Sequence, residues 1–288
     1  MFLPHTSHSQ TSPSSSSSVE NSRGYHSHRK RKNARNTEIS NEEWETIRSF
    51  QATKIETKTG IDGDIDQLRL LLNKITDKTF KDIRSKFIEK LDDIYENNKN
   101  DEPETFRSSC SKIAAIIYDI SSTNKFYSKL FSDLFCELAD KYEFIRQEFL
   151  SRFATIHQEY NTIVYIDPDE DYDAYCINNK LNERRRSLSA FLVHLARREF
   201  IEKQSIENIL NTLVCRVERD LHNADNKNTN DELVENIAIL FNSDLFTNND
   251  KDTSSFYNRI HSLSLLKSRD CKGLSNKSIF KCMDIVDA

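Results

Sequence analysis

The sequence predicts an all-α fold, and three observations carry that prediction. Apolar residues recur at helical spacing in ten successive stretches. The breaks between them are short and made of Asn, Asp and Ser. Only four glycines occur in 288 residues, far below the roughly 7% of an average chain. Sandwiches, barrels and doubly wound sheets use glycine at turns, bulges and phosphate loops, so this scarcity argues against them.

The elements follow in order. Residues 1–40 form a low-complexity tail with a serine run at Ser14–Ser18 and too few apolar residues to offset the entropy of ordering. It is predicted to be disordered. Its six basic residues face two acidic ones, whereas residues 41–288 hold 35 basic against 44 acidic. A basic tail thus precedes an acidic body. Residues 41–63 read as a linker with a possible short helix, carrying Trp44, Ile47 and Phe50. Gly60 and Gly63 punctuate its end.

From Asp64 the helical period is continuous. Leu68, Leu71, Leu72 and Ile75 form the first stripe, and Phe80, Ile83, Phe87, Leu91 and Ile94 the second. A third holds Ile113, Ile116, Ile117 and Ile120, entered near Pro103, which suits a first helical turn. Tyr127, Leu130, Phe131, Leu134 and Leu138 make the fourth, and Ile145, Phe149, Phe153, Ile156 and Tyr160 the fifth. Leu181, Leu188, Leu192 and Leu195 lie on the sixth; Ile206, Ile209, Leu213 and Val217 on the seventh. Leu233, Ile237, Leu240 and Phe241 give the eighth; Phe256, Ile260 and Leu263 the ninth; Ile279, Met283 and Val286 the tenth. Breaks are expected at 97–101, 121–124, 167–173, 223–231 and 248–253. Thr162–Ile166 alone has strand character, and one strand makes no sheet. Ten helices over residues 64–288 give 45 residues per pair, matching the roughly 40–47 residue period of HEAT-type solenoids. An irregular helical bundle fits the periodicity equally well.

Other classes find no support. No stretch approaches the roughly 18 apolar residues of a membrane span; the best run is Ile113–Tyr118. The N-terminus lacks the basic start and apolar core of a secretory signal. Six cysteines are scattered without a Cys-x-x-Cys pair, which fits reduced thiols better than a disulfide framework. Phosphate-loop, nucleophile-elbow and zinc-protease motifs are missing, so neither enzyme activity nor a cofactor is expected. The alternating carboxylates Asp167, Asp169, Asp171 and Asp173 resemble a calcium loop, but Tyr172 stands where glycine is needed and Asn178 where a bidentate Glu is needed. That stretch reads as a solvated loop. His5, His8, His26 and His28 fall in the tail, and His194 reads as an ordinary helical residue.

Four segments carry a family resemblance. IDQLRLLLNKITDKTFKDI (65–83), with Leu72, Asn73, Lys74, Ile75, Thr76 and Phe80, resembles the opening of the middle domain of eukaryotic translation initiation factor 4G. FYSKLFSDLFCEL (126–138) looks like its second helix pair. KLNERRRSLSAFLVHLARREFI (180–201) looks like its third, through Arg184, Arg185, Arg186 and Leu188. GLSNKSIFKCMDIVDA (273–288) resembles its last helix, through Ser275, Ile279, Phe280 and Met283. The resemblance is collinear over nearly all of 64–288. It implies a HEAT-type α-solenoid crescent of about five helix pairs and a cytoplasmic, non-catalytic scaffold. Such a scaffold binds and activates a DEAD-box RNA helicase of the initiation factor 4A type and contacts mRNA, with other initiation factors as further partners and no membrane. Related domains serve nuclear RNA processing and mRNA decay, which is the alternative function. The Tyr-x-x-x-x-Leu peptide that captures a cap-binding protein has no match, since Tyr175 has Leu181 one place too far.

Candidate site residues follow from charge and from the resemblance. Arg29, Lys30, Arg31, Lys32 and Arg35 form a flexible cationic tract, read as RNA contact, nuclear signal or plain solvated tail. Trp44 is read either as a helicase anchor or as packed on the first pair. Arg184, Arg185 and Arg186 are consecutive and cannot all face one partner. One or two are expected to form salt bridges with acidic neighbours such as Glu183 or the 167–173 loop, and Arg184 and Arg185 are the partner-contact candidates. Asn276 and Lys277 are candidates at the start of the last helix. If the tract contacts RNA, deleting residues 1–40 weakens RNA binding and flattens its salt dependence in a filter-binding assay; unchanged affinity would exclude the tract.

Overall fold

The structure is a computed structural model that describes residues 58–241, 245–246 and 255–287. Backbone contacts divide the chain between Glu56 and Thr57. The tail, the tract Arg29–Arg35, Trp44 and the 248–253 break lie outside the described residues.

Each of the ten stripes falls mainly on helix, with Ile75, Tyr127 and Phe241 just beyond a helix end. The helices are α1 (Gly60–Leu72), α2 (Phe80–Asn98), α3 (Pro103–Thr123), α4 (Ser128–Lys141), α5 (Glu143–Phe153), α6 (Ile156–Asn161), α7 (Tyr172–Arg197), α8 (Lys203–Arg219), α9 (Lys227–Leu240), α10 (Ser255–Ser264) and α11 (Asn276–Asp287). No strand occurs among the described residues. The stripes bury as their spacing requires: Ile83, Phe87, Leu91 and Ile94 of α2 and Ile206, Ile209, Leu213 and Val217 of α8 are all in the core.

Several expectations need correction. The fifth stripe is two helices, α5 and α6, parted at Ala154–Thr155. The first helix starts four residues early, at Gly60. Gly63 is needed inside it because a Cβ there would lie 2.4 Å from the Lys58 carbonyl oxygen. The 121–124 break begins only at Asn124, because Ser122 and Thr123 continue α3 with their hydroxyls bonded back to the Asp119 carbonyl, at 3.4 and 2.6 Å. Asn124 then turns the chain, its side-chain oxygen accepting from the Tyr127 N–H at 2.9 Å. The 223–231 break closes sooner, through a single 3₁₀ turn at Ala224–Asn226. Leu181 and Met283 are 40% and 38% exposed, off the core face.

Each helix packs mainly on others near it in the chain. α1 meets α2 and α3, α2 meets α4, and α3 meets α4 and α5. α7 lies against α3, α4, α8 and α9; α8 meets α10, and α11 meets α9 and α10. Around α7 the rings of Tyr118, Phe135, Phe149, Phe191 and Phe200 form one cluster, with centroids 5.4 Å apart for Phe135–Phe191 and 5.1 Å for Phe149–Phe200. Each such buried ring contributes roughly 2–3 kcal/mol by area. Two-pronged ion pairs tie alternate helices: Arg84 of α2 to Glu137 of α4, and Arg259 of α10 to Glu218 of α8 at 2.9 and 2.6 Å.

Two turns fix the later helices. α7 ends in a Schellman motif, with Phe200 N–H bonded to the Leu195 carbonyl and Glu199 N–H to that of Ala196, both at 3.0 Å. Glu199 takes the left-handed position at φ 57°, where glycine is usual. Farther on, Gly273 lies against the turn after α8: its N–H donates to the Leu221 carbonyl at 2.8 Å, and its carbonyl accepts from the Asn230 side chain at 2.9 Å. A Cβ at Gly273 would stand 2.1 Å from the Asp220 carbonyl oxygen, a backbone atom that cannot swing aside. Gly273→Ala is expected to cost about 3 kcal/mol, read as a lowered melting temperature; an unchanged melting temperature would show that this close approach does not exist.

Candidate nucleic-acid interface

The three consecutive arginines of α7 divide into one buried and two near the surface. Arg185 is 3% exposed. Its guanidinium donates to the Glu159 carbonyl at 2.8 Å, the Asn182 side chain at 2.7 Å and the Thr162 hydroxyl at 2.8 Å. Beside it Arg216 of α8 donates to the carbonyls of Tyr160 at 2.9 Å, Asn161 at 3.2 Å and Ile163. Burial pulls both guanidinium pKa values below the usual arginine range. Between them they satisfy the carbonyls left over at the end of α6. The extended stretch 162–166 therefore needs no sheet: its polar backbone is held by side chains, with Asn178 donating to the Val164 carbonyl at 2.9 Å. Arg185, expected as a partner contact, is a buried clamp.

Nearby polar groups are consumed in the same way. Ser189 donates to Asn236 at 3.0 Å and so accepts from the Tyr160 hydroxyl at 2.9 Å. Asn236 donates onward to the Glu232 carbonyl at 2.9 Å. This chain links α6, α7 and α9. Burial pushes the Tyr160 phenol well above the usual tyrosine range.

Arg184 and Arg186 stay near the surface. Arg184 is 3.9 Å from Asp119, whose carboxylate sits closer to Arg152 at 3.0 Å, and Arg186 is 3.4 Å from Glu232. The expected ion pairs with acidic neighbours thus form, but to Glu232 and Asp119 rather than to Glu183 or the 167–173 loop. The loop instead starts α7: Asp167 accepts from Asp169 N–H, and Asp171 caps the helix through Ala174 N–H, both at 2.9 Å. Asn276 accepts from the Ser268 hydroxyl at 2.6 Å, and exposed Lys277 pairs with Glu235 at 3.0 Å. These two lie on the α10–α11 side of the body, apart in sequence and elements from the arginines of α7.

Arg184 and Arg186 border a groove of about 570 Å³ between the α3–α4 turn and α7. Lys180, Glu183, Arg184 and Ser187 form one face of α7 at i, i+3, i+4 and i+7. Opposite stand Asn124, Lys125 and Phe126, with Phe126 89% exposed. Lys125, Phe126 and Lys180 were missed at the sequence level. A signal existed: Phe126 lies just before the fourth stripe, beside a lysine in a polar break. A larger recess holds Tyr95, Phe106, Tyr142 and Phe144, with Asp92 accepting from both the Tyr142 hydroxyl and Lys141, and Glu96, Arg107 and Glu143 each bonded to a neighbour three or four residues away.

The six cysteines are free. Burial pushes the Cys136 and Cys282 thiols up to about 11 and about 12, which makes them inert. Among the described residues no group of three metal-ligating side chains comes together, and no helix is long and apolar enough to cross a membrane. No family model, curated protein or solved structure matches the chain.

The contrast between neighbours is testable by urea denaturation. Arg185→Met leaves buried carbonyls unpaired and is expected to cost about 3 kcal/mol, whereas Arg184→Ala changes stability by less than about 0.5 kcal/mol. Equal effects would refute the division of roles.

Proposed function

We propose that this chain is a non-catalytic scaffold of translation initiation that binds a DEAD-box RNA helicase of the initiation factor 4A type, raises its activity and contacts mRNA. The observation that carries the proposal is collinearity. The four segments resembling the initiation factor 4G middle domain fall, in order, on α1 and its following turn, on α4, on α7 and on α11. The Asn73–Thr76 part of the first segment is a turn tied by Thr79, whose hydroxyl donates to the Lys74 carbonyl at 2.5 Å.

The packing order supports a HEAT-type solenoid of about five pairs forming a crescent. Helices two places apart stack on one another, as α1 on α3, α2 on α4, α7 on α9, α8 on α10 and α9 on α11. A scaffold of this kind works by holding two lobes of a partner at a productive distance, which a row of stiffly packed pairs can do without chemistry of its own. Trp44 and the tract Arg29–Arg35 are the proposed helicase and RNA contacts ahead of the first pair, and the cytoplasm is the proposed location. The same tract, as a nuclear signal, favours the second reading, an adaptor of nuclear RNA processing or mRNA decay; the location of a tagged chain separates the two.

The direct test is capture of a purified initiation factor 4A-type helicase, followed by its RNA-dependent ATPase rate with and without the chain. Capture and stimulation are expected, with no turnover by the chain alone. Trp44→Ala is expected to weaken capture without lowering the melting temperature. Neither capture nor stimulation would overturn the proposal.

A further inference from the structure

We infer that the groove between the α3–α4 turn and α7 is a second RNA site, on the folded body, that binds single-stranded RNA. In it Phe126 is the platform on which a base stacks, and Lys125, Lys180, Arg184 and Arg186 face the phosphates. This deepens the mRNA-contact half of the proposed function and does not depend on the helicase half.

Charge singles the groove out first. Residues 41–288 carry nine more acidic than basic residues, yet this groove gathers four cations against one carboxylate, Glu183. Lys125 and Lys180 have no ion-pair or hydrogen-bond partner among the described residues. Arg184 is only loosely held, since Asp119 belongs more closely to Arg152. Several cations elsewhere are paired within the body, as Lys141 with Asp92, Arg259 with Glu218, and Lys277 and Lys281 with Glu235, and within the groove Arg186 is 3.4 Å from Glu232. Lys125 and Lys180, beside the loosely held Arg184, add positive charge to one groove, and an anion there would relieve it.

Phe126 selects the kind of anion. Among the described residues it is the most exposed of the large apolar side chains, and it stands on the groove lip directly after Lys125. Its ring packs in none of the aromatic clusters. The turn beneath it is fixed, because Asn124 caps Tyr127 N–H, and the side-chain nitrogen of Asn124 remains available as a donor. An exposed ring beside a track of cations is how proteins hold unpaired nucleotides, each base having a π-face and each phosphate a charge. An acidic peptide fits less well. Its apolar anchors would need an apolar floor, and apart from Phe126 the lining is Thr123, Asn124, Ser187 and charged groups. Duplex RNA fits less well because its bases are already stacked on one another.

The test uses the full chain carrying Arg29→Ala, Lys30→Ala, Arg31→Ala, Lys32→Ala and Arg35→Ala, so that the tail cannot contribute. Binding of fluorescein-labelled oligouridine is followed by anisotropy across a salt series. The tail-neutralised chain is expected to retain binding, and Phe126→Ala to weaken it about tenfold. Lys125→Ala with Lys180→Ala is expected to lower the log–log salt slope by about 1.4, at ~0.7 per phosphate contact. All three side chains are exposed, so melting temperatures should hold, and a helicase-capture assay on the same variants reports separately on the scaffold. The proposal is overturned if the tail-neutralised chain does not bind, if Phe126→Ala binds as before, if a duplex binds as tightly as the single strand, or if polyglutamate binds as tightly as RNA.

Discussion

Two buried guanidinium groups organise the middle of this molecule. Arg185 and Arg216 reach from adjacent helices to the same run of carbonyls, residues 159–163, where a short helix ends and the chain must stretch out before the longest helix begins. Bare carbonyls in that position would carry the full penalty of lost hydration. A cation at a helix C-terminus removes it and also meets the negative end of the helix dipole. With the carbonyls held, α7 is fixed in rotation, and everything else on α7 follows: Phe191 turns into the ring cluster, Ser189 into the polar chain with Tyr160 and Asn236, and Lys180 and Arg184 outward to the groove.

The electrostatic plan around this centre is economical in a particular way. Two-pronged Arg–Glu pairs span alternate helices, from α2 to α4 and from α8 to α10. They set spacing and register between neighbours more than they add stability, since partly exposed pairs contribute little. Many carboxylates of the body are thereby paired with its own arginines and lysines. In the groove Lys125 and Lys180 stand without such a partner among the described residues, and they come from two elements, the α3–α4 turn and α7.

Helix content was legible in the sequence because burial acts through period, and period survives any neighbour. Positions such as Phe87, Leu91 and Ile94 had to be inside whichever way α2 packed. What was not legible depended on partners far along the chain. Thr162–Ile166 resembled a strand because strand propensity records local shape, whereas its hydrogen bonds go to side chains 14 to 53 residues away. Arg185 and Arg184 are indistinguishable by composition; only the arrival of 159–162 against one of them makes it a clamp. The serines at 121 and 122 looked like a break, and they continue a helix because its end is buried. The groove escaped for the same reason, since Lys125 and Lys180 become neighbours only when α4 packs on α7.

The glutamate at position 199 illustrates how a local penalty can vanish from the total. Holding a residue with a Cβ in the left-handed region costs about 1 kcal/mol. Glycine would avoid that cost, but a glycine has more freedom to lose when the chain leaves the unfolded ensemble, and that loss is also about 1 kcal/mol. The two quantities nearly cancel, so the turn can carry a charged side chain at almost no net expense. Phe200, one residue on, still reaches its place between Phe135 and Phe149. The identity of residue 199 is thus left to be decided by the solvent-facing surface rather than by the fold.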